Sequence, residues 1–152
     1  MGKFDDRLAD LGVQIPDAPA PAANYVQHVR VGKQVYVSGQ VSRDDNGLIT
    51  GVLGKDMDID AGAAAARTCA IALIAQLKSA CGGDLDQLER IIKLGGFVNS
   101  APGFTEQPKV INGASDFLVD VFGDAGRHTR TAVGAILPLG VAVEIDGVFQ
   151  LK

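Results

Sequence analysis

Tryptophan is absent from this chain of 152 residues, and aromatic side chains make up only 5% of it, so platforms on which nucleic-acid bases could stack are scarce. Basic runs are missing too. The 14 Lys and Arg are scattered among 18 Asp and Glu, giving a formal net charge of −4. That balance works against nucleic-acid binding, which draws on clustered cations, and no nucleic-acid partner is expected. Cysteine is limited to Cys69 and Cys81, which form no CxxC pair. A disulfide framework is therefore excluded, a reducing compartment fits, and both thiols read as small buried hydrophobes. There is no GxSxG, HExxH or P-loop, and a Ser-His-Asp triad has no local signature. His28 and His128 stand far apart without evident ligand partners, so no metal and no cofactor are expected. Met1 to Gly12 is charged and lacks the apolar core of a signal peptide. The longest apolar helical stretch is interrupted by Arg67, Gln76 and Lys78, so no membrane span and a cytoplasmic location are expected.

What is present suits one domain with a core large enough to fold unaided. Phe4, Leu8 and Leu11 recur at helical spacing, and Pro16, Pro19 and Pro21 then make an extended connector; residues 1–23 read as an N-terminal extension. Tyr25 to Val31 and Gln34 to Val41 predict a hairpin about Gly32-Lys33, followed by a turn at Asp44-Asp45-Asn46-Gly47. An alanine-rich stripe predicts a helix from Ile59 to Ala80, capped by Asp58 or Asp60 and ended by Cys81-Gly82-Gly83. Arg90 to Asn99 reads as a strand kinked at Gly95-Gly96. Val110, Ile111, Ala114, Phe117, Leu118, Val121 and Phe122 make the stripe of a second helix, opened by Pro108 and ended by Gly123. Thr129 to Leu137 and Val141 to Leu151 close the chain as strands. The order β-β-α-β-α-β-β predicts an α+β fold, a single mixed sheet with both helices on one face. The other face, with apolar and polar residues mixed, would be covered by further copies of the chain.

The last two strands carry the candidate chemistry. Side chains at i and i+2 share a face of a strand. If Val133 and Leu137 face the core, Arg130 and Glu144 emerge together on the opposite face, a fixed cation and a carboxylate suited to a small anionic substrate. Arg130 is then either an ion-pair partner or a bidentate anchor for a substrate carboxylate. Glu144 is either an ion-pair partner or a general base; Asp146, about 7 Å along the strand, would raise its pKa, and a nearby arginine would lower it. Tyr25 is a rim aromatic or a substrate contact. Asn112 caps, pairs with backbone, or reaches a ligand.

The segments Asn24-Tyr25-Val26-Gln27, Val37-Ser38-Gly39-Gln40, Asn112, Arg130-Thr131-Ala132-Val133 with Leu137-Pro138, and Val143-Glu144-Ile145 resemble the Rid/YjgF family of reactive intermediate deaminases. The same family is known as L-PSP-type endoribonucleases or translation inhibitors. The resemblance runs from about Ala22 to Leu151, with the N-terminal extension marking a longer-chain subgroup. It implies a chorismate-mutase-like fold and a barrel-like homotrimer with clefts between subunits. It also implies hydrolysis of enamine or imine acids, such as 2-aminoacrylate and 2-iminobutanoate, to 2-keto acids and ammonia, without metal or cofactor. On this chain Arg130 would bind the substrate carboxylate and Glu144 would activate water. Tyr25, Ser38 and Gly39 would line the pocket, and Asn112 would stand near its entrance. A non-catalytic trimer that binds small carboxylates is the alternative implied by the same cleft, with an endoribonuclease or translation inhibitor a further one. Two departures stand out. Ala132 occupies a position where archetypal members often carry cysteine. The chain from Arg130 to Leu137-Pro138 is one residue shorter than the usual family spacing, a change that inverts side-chain facing in a strand unless a bulge absorbs it.

Overall fold

A computed structural model describes residues 1–152. The chain forms α1 (Lys3–Asp10), β1 (His28–Val31), β2 (Gln34–Val41), a small hairpin of β3 (Arg43–Asp44) and β4 (Gly47–Leu48), α2 (Ile59–Ala80), β5 (Leu88–Asn99), α3 (Gln107–Phe122), β6 (Thr129–Ala135) and β7 (Val143–Leu151). The five long strands make one sheet in the order β1-β2-β7-β5-β6. Only β5 and β6 run parallel, because α3 carries the chain from the end of one back to the start of the other. The fold is thus α+β with a mixed sheet, as the element order predicts. Three expected strands are shorter than their apolar patterns. Tyr25 to Gln27 stays outside β1, β6 stops at Ala135, and β7 begins at Val143.

Local chemistry explains the helix ends. Asp58 caps α2 by accepting from the Ala61 N–H at 2.8 Å. Pro108 sits in the first turn of α3, where its missing N–H leaves no intrahelical bond unmade. The start of α1 is held from elsewhere in the chain: the Asp86 carboxylate accepts from the N–H groups of Lys3 and Phe4. Phe4 and Leu8 are buried, with the Phe4 ring edge-on to Phe122, so the N-terminal extension is docked on the main body.

One face of the sheet receives α2 and α3. Val35, Ile91, Leu94, Val98, Val143, Ile145 and Phe149 point into the core from the strands, and Leu73, Leu77, Ile111 and Leu118 meet them from the helices. Burial of each such side chain contributes about 1.5–3 kcal/mol. By length and composition α2 is apolar enough to cross a membrane in spite of Arg67, Gln76 and Lys78, which corrects the sequence argument. Its apolar side is spent on the core, where Cys69 also lies fully buried.

The helices α2 and α3 touch at Gly113, where an added Cβ would overlap the backbone carbonyl of Ala63. Gly113→Ala should therefore cost about 1–3 kcal/mol as overpacking. A lowered midpoint of urea unfolding would register it; an unchanged midpoint would mean the two helices part without penalty.

Candidate functional site

The open face of the sheet is set by β7, which lies between β2 and β5. Val143, Ile145, Gly147, Phe149 and Leu151 turn inward, so Glu144, Asp146, Val148 and Gln150 turn outward. Across the ladder Glu144 stands beside Val41 of β2 and Phe97 of β5, and Phe97 in turn stands beside Val133 of β6. The same face carries Val29, Val31, Tyr36, Thr129 and Thr131.

Arg130 is not on it. The register from Lys93↔Thr129 to Asn99↔Ala135 runs without a bulge, and Arg130 pairs with the inward-facing Leu94. Val133, 41% exposed, lies on the open face, contrary to the assumption that placed it in the core. Ala132 packs against the core instead. Arg130 is three residues from Val133, an odd number, and so takes the helix face. There its Nη1 donates to Ser115 Oγ at 3.0 Å and its Nη2 to the Pro108 carbonyl at 3.3 Å. In one protomer Arg130 and Glu144 therefore occupy opposite faces of the sheet. The expected pairing of carboxylate anchor and base is corrected. The one-residue shortening before Leu137-Pro138 is the physical reason, since no bulge absorbs it. Counting back by the usual family spacing ends on Thr129, which faces the open side.

Asn112 falls with Arg130. It sits on an exposed turn of α3, four residues after Pro108 and three before Ser115, the two residues that Arg130 contacts. Ser38 and Gly39 fall with Glu144, at the bulge where the β2–β7 register slips between Val37 and Gln40. Ser38 Oγ donates to the Val26 carbonyl at 3.0 Å, tying the segment before β1 to the bulge. Tyr25 is half-exposed in that segment and its hydroxyl makes no hydrogen bond. The predicted site residues thus divide into two groups, Glu144, Ser38 and Gly39 on one face and Arg130 with Asn112 on the other.

Glu144 is the chemically unusual member. Its carboxylate rests on Gly39, where an added Cβ would collide with Oε1. It is partly buried, yet forms no salt bridge and accepts no hydrogen bond. Burial, and then the negative charge of Asp146, raise its pKa above the ordinary glutamate value. Asp146 itself is exposed and accepts from the Gly95 N–H at 3.0 Å. No group of three or more His, Cys, Asp or Glu side chains is gathered anywhere in a way that could hold a metal ion.

Sequence reasoning missed the contacts of His128. His128 Nδ1 lies 2.6 Å from the Gly126 carbonyl and its Nε2 lies 2.9 Å from Ser115 Oγ. With the Nδ1 proton donated to Gly126, Nε2 accepts from Ser115, which in turn accepts from Arg130. Burial lowers the His128 pKa, with Arg130 adding to the fall and the Gly126 bond opposing it. This chain of contacts fastens the edge strand to α3. No spacing in the sequence signals it, because it forms only once α3 has returned beside β6.

Two outcomes test this geometry. Asp146→Asn should lower the Glu144 pKa toward its ordinary value, measured by NMR titration of the carboxyl, because a like charge is removed. Arg130→Gln should leave that titration where it is while speeding amide exchange in β6. A Glu144 shift in Arg130→Gln as large as in Asp146→Asn would place the two side chains on one face after all.

The arrangement has known relatives. Protein TCP17 of Trypanosoma cruzi is 49% identical over 154 residues, covering 99% of this chain and 96% of the relative. A "putative endoribonuclease" from Shewanella oneidensis MR-1 superposes with a TM-score of 0.93 at 35% identity, covering 99% of this chain and all of the other. Protein Atu1372 of Agrobacterium tumefaciens, of unknown function, superposes at 0.91 with 43% identity, covering 99% and 93%. Residues 5–145 match the family described as "YjgF/chorismate mutase-like, putative endoribonuclease", and with that match the chain is a member of the YjgF/chorismate-mutase-like family.

Proposed function

We propose that this protein hydrolyses the C=N bond of small imines or their enamine tautomers, with Glu144 activating water, in a cleft that further copies of the chain close into a homotrimer. One observation carries the reading: a partly buried carboxylate with raised pKa and no partner, seated against a glycine on an otherwise uncovered sheet face. Such a group holds a proton more tightly than an ordinary glutamate, and its ionised form is therefore the better base for taking one from water. The water oxygen bonds to the imine carbon as Glu144 accepts a water proton. The proton passes to the nitrogen; Glu144 then takes the proton of the new hydroxyl and delivers it to the nitrogen as the C–N bond breaks with its electron pair leaving on nitrogen, so that the carbon becomes a carbonyl and ammonia leaves. Atoms and charge balance with no oxidant, reductant or metal in the scheme.

The homotrimer is supported by the apolar part of the same face. Val29, Val31, Tyr36 and Val133 stay exposed in one protomer. Apolar surface of this extent is characteristic of a face covered by another subunit. The segment around Tyr25 and Ser38 would line the cleft rim. Arg130 has no part in the scheme as an acid anchor, because it is engaged on the other side of the sheet. The ribonuclease name carried by relatives finds little support: a phosphodiester site needs cations, and this face presents Glu144 and Asp146.

Glu144→Gln should reduce imine hydrolysis by about 100-fold or more, the usual worth of a general base. Activity of the unaltered protein should fall as the pH drops through the raised Glu144 pKa, because the ionised form does the work. Release of ammonia from freshly generated imine, followed in a coupled assay, reads both. A Glu144→Gln variant as fast as the unaltered protein removes the proposal.

A further inference from the structure

We propose that Ser115 and His128 form a second catalytic site, a serine–imidazole pair on the helix face of the sheet that hydrolyses activated carboxylic esters through an acyl-serine. The pair lies on the side of the sheet opposite to Glu144 and does not depend on imine hydrolysis there.

The geometry is that of a nucleophile and its base. Ser115 Oγ lies 2.9 Å from His128 Nε2, and His128 Nδ1 lies 2.6 Å from the Gly126 carbonyl. A carbonyl can only accept, so it keeps the ring proton on Nδ1 and leaves Nε2 to take the one on Ser115. A carboxylate gives the histidine of a serine triad the same orientation. The carbonyl is itself fixed, since Gly126 lies so close to α3 that an added Cβ would overlap the Leu118 backbone carbonyl. Burial, with Arg130 adding to it, holds the His128 pKa below its ordinary value against the opposing Gly126 bond. The imidazole is therefore neutral at neutral pH and able to accept. Fastening β6 to α3 needs no more than the bond from Arg130 to Ser115; a basic nitrogen aimed at the same hydroxyl is an addition.

Arg130 supplies the charge. Its Nη1 donates to Ser115 Oγ at 3.0 Å, and its Nη2 is held by the Pro108 carbonyl at 3.3 Å. The guanidinium forms no salt bridge, and its remaining N–H groups have no partner in the chain. They stand beside the hydroxyl, where a negative oxygen develops during acyl transfer. Ser115, His128 and Arg130 are each half-buried, and Asn112, one turn before Ser115 on α3, is exposed, so the group opens to solvent. In the first step Ser115 Oγ bonds to the ester carbonyl carbon as its proton passes to His128 Nε2. The C–O bond to the leaving group then breaks with its electron pair on the departing oxygen, which takes the proton from His128. Water repeats both moves on the acyl-serine, freeing the acid and restoring Ser115. Ester and water are the only reactants. A neutral carbonyl steadies the imidazolium less than a carboxylate does, and Arg130 opposes its charge. The site therefore suits esters whose leaving groups depart with little help from a proton, such as aryl esters.

The test uses the intact protein and p-nitrophenyl acetate at neutral pH. Release of nitrophenolate is followed by absorbance, and the acetylated residue is located by mass spectrometry of the digested protein. The expected result is acetyl on Ser115, with a release rate that falls about 100-fold in both Ser115→Ala and His128→Gln. His128→Gln is the discriminating variant. Its amide can keep a hydrogen bond to Ser115 but cannot take a proton, so the unfolding midpoint should hold while acylation is lost. Rates are compared well below the unfolding midpoint of each variant, so that loss of fold is not read as loss of catalysis. Phenylmethanesulfonyl fluoride should likewise label Ser115 in the unaltered protein and not in His128→Gln. Absence of acetyl from Ser115, acetyl on surface lysines alone, or a His128→Gln variant as fast as the unaltered protein overturns the proposal. The three side chains would then be a structural tie between β6 and α3 and nothing more.

Discussion

Strand parity across β6, β5 and β7 governs which side chains of this protein can meet. From Lys93 onward the three strands run in unbroken register and act as a single ruler: Val133, Phe97 and Glu144 lie in one row, and every residue of that stretch an odd number of steps from the row points the other way. Arg130 is three steps away. Its guanidinium therefore reaches Ser115 and the Pro108 carbonyl on α3, and no rotamer can bring it back through a sheet whose next row is Leu94. A bulge in β6 would have changed the outcome. The bulges lie elsewhere, in β2 between Val37 and Gln40 and in β5 on either side of Arg90 to Ile91.

The β2 bulge serves the carboxylate. An extra residue in β2 puts Gly39 over Glu144, and only a residue without a Cβ leaves room for the carboxyl there. The same bulge lets the Ser38 hydroxyl reach back to Val26 and the buried Gln40 amide reach Gln27 and the Ser38 carbonyl, so the segment leading into β1 is held at the rim of the open face. Glu144 is thus enclosed by backbone and apolar groups and left without a partner, which is an unfavourable setting for its charged form. For a group with its folded-state pKa raised, the sign is definite. The stabilising contribution is fully present at low pH, where the group is protonated in both states, and is lost as the pH rises through the folded value. In its ionised form Glu144 therefore works against folding.

Most of the architecture could be read from the sequence because it depends on local signals. The alanine stripe and Asp58 fix α2 from Ile59 to Ala80, and Pro108 and Gly123 bracket α3 to within a residue. The central strand β7 was readable as well, since its alternation is strict and one parity is wholly buried. The edge strand was not. In β6 apolar residues sit on both parities, Val133 and Ala135 on one and Ala132 and Ile136 on the other, and periodicity cannot choose between them. The choice was made by parallel pairing with β5, a contact about 35 residues away in sequence. Small residues gave the one available hint: Ala132 and Gly134 share the parity that packs near α3, where an added Cβ at Gly134 would crowd Gln107 and Ser100. Bulk, not hydrophobicity, was the informative property.

The same distinction separates this chain from the arrangement that its resemblance implied. A family pattern transfers residue types at positions, but a strand converts position into direction, and a single deletion preserves the first while reversing the second. Arg130 kept its place beside Thr131 and lost its side of the sheet. Glu144 kept both, because β7 is paired on each side and a slip there would expose Ile145 and Phe149 together. An edge strand can absorb such a change at little cost, since only one neighbour and one helix must accommodate it. Here Arg130 is engaged by Ser115 and a backbone carbonyl, and Thr129 and Thr131 face the open side. Side-chain facing in this fold is therefore most easily altered at the edge strand, while the position of the carboxylate is fixed by the centre of the sheet.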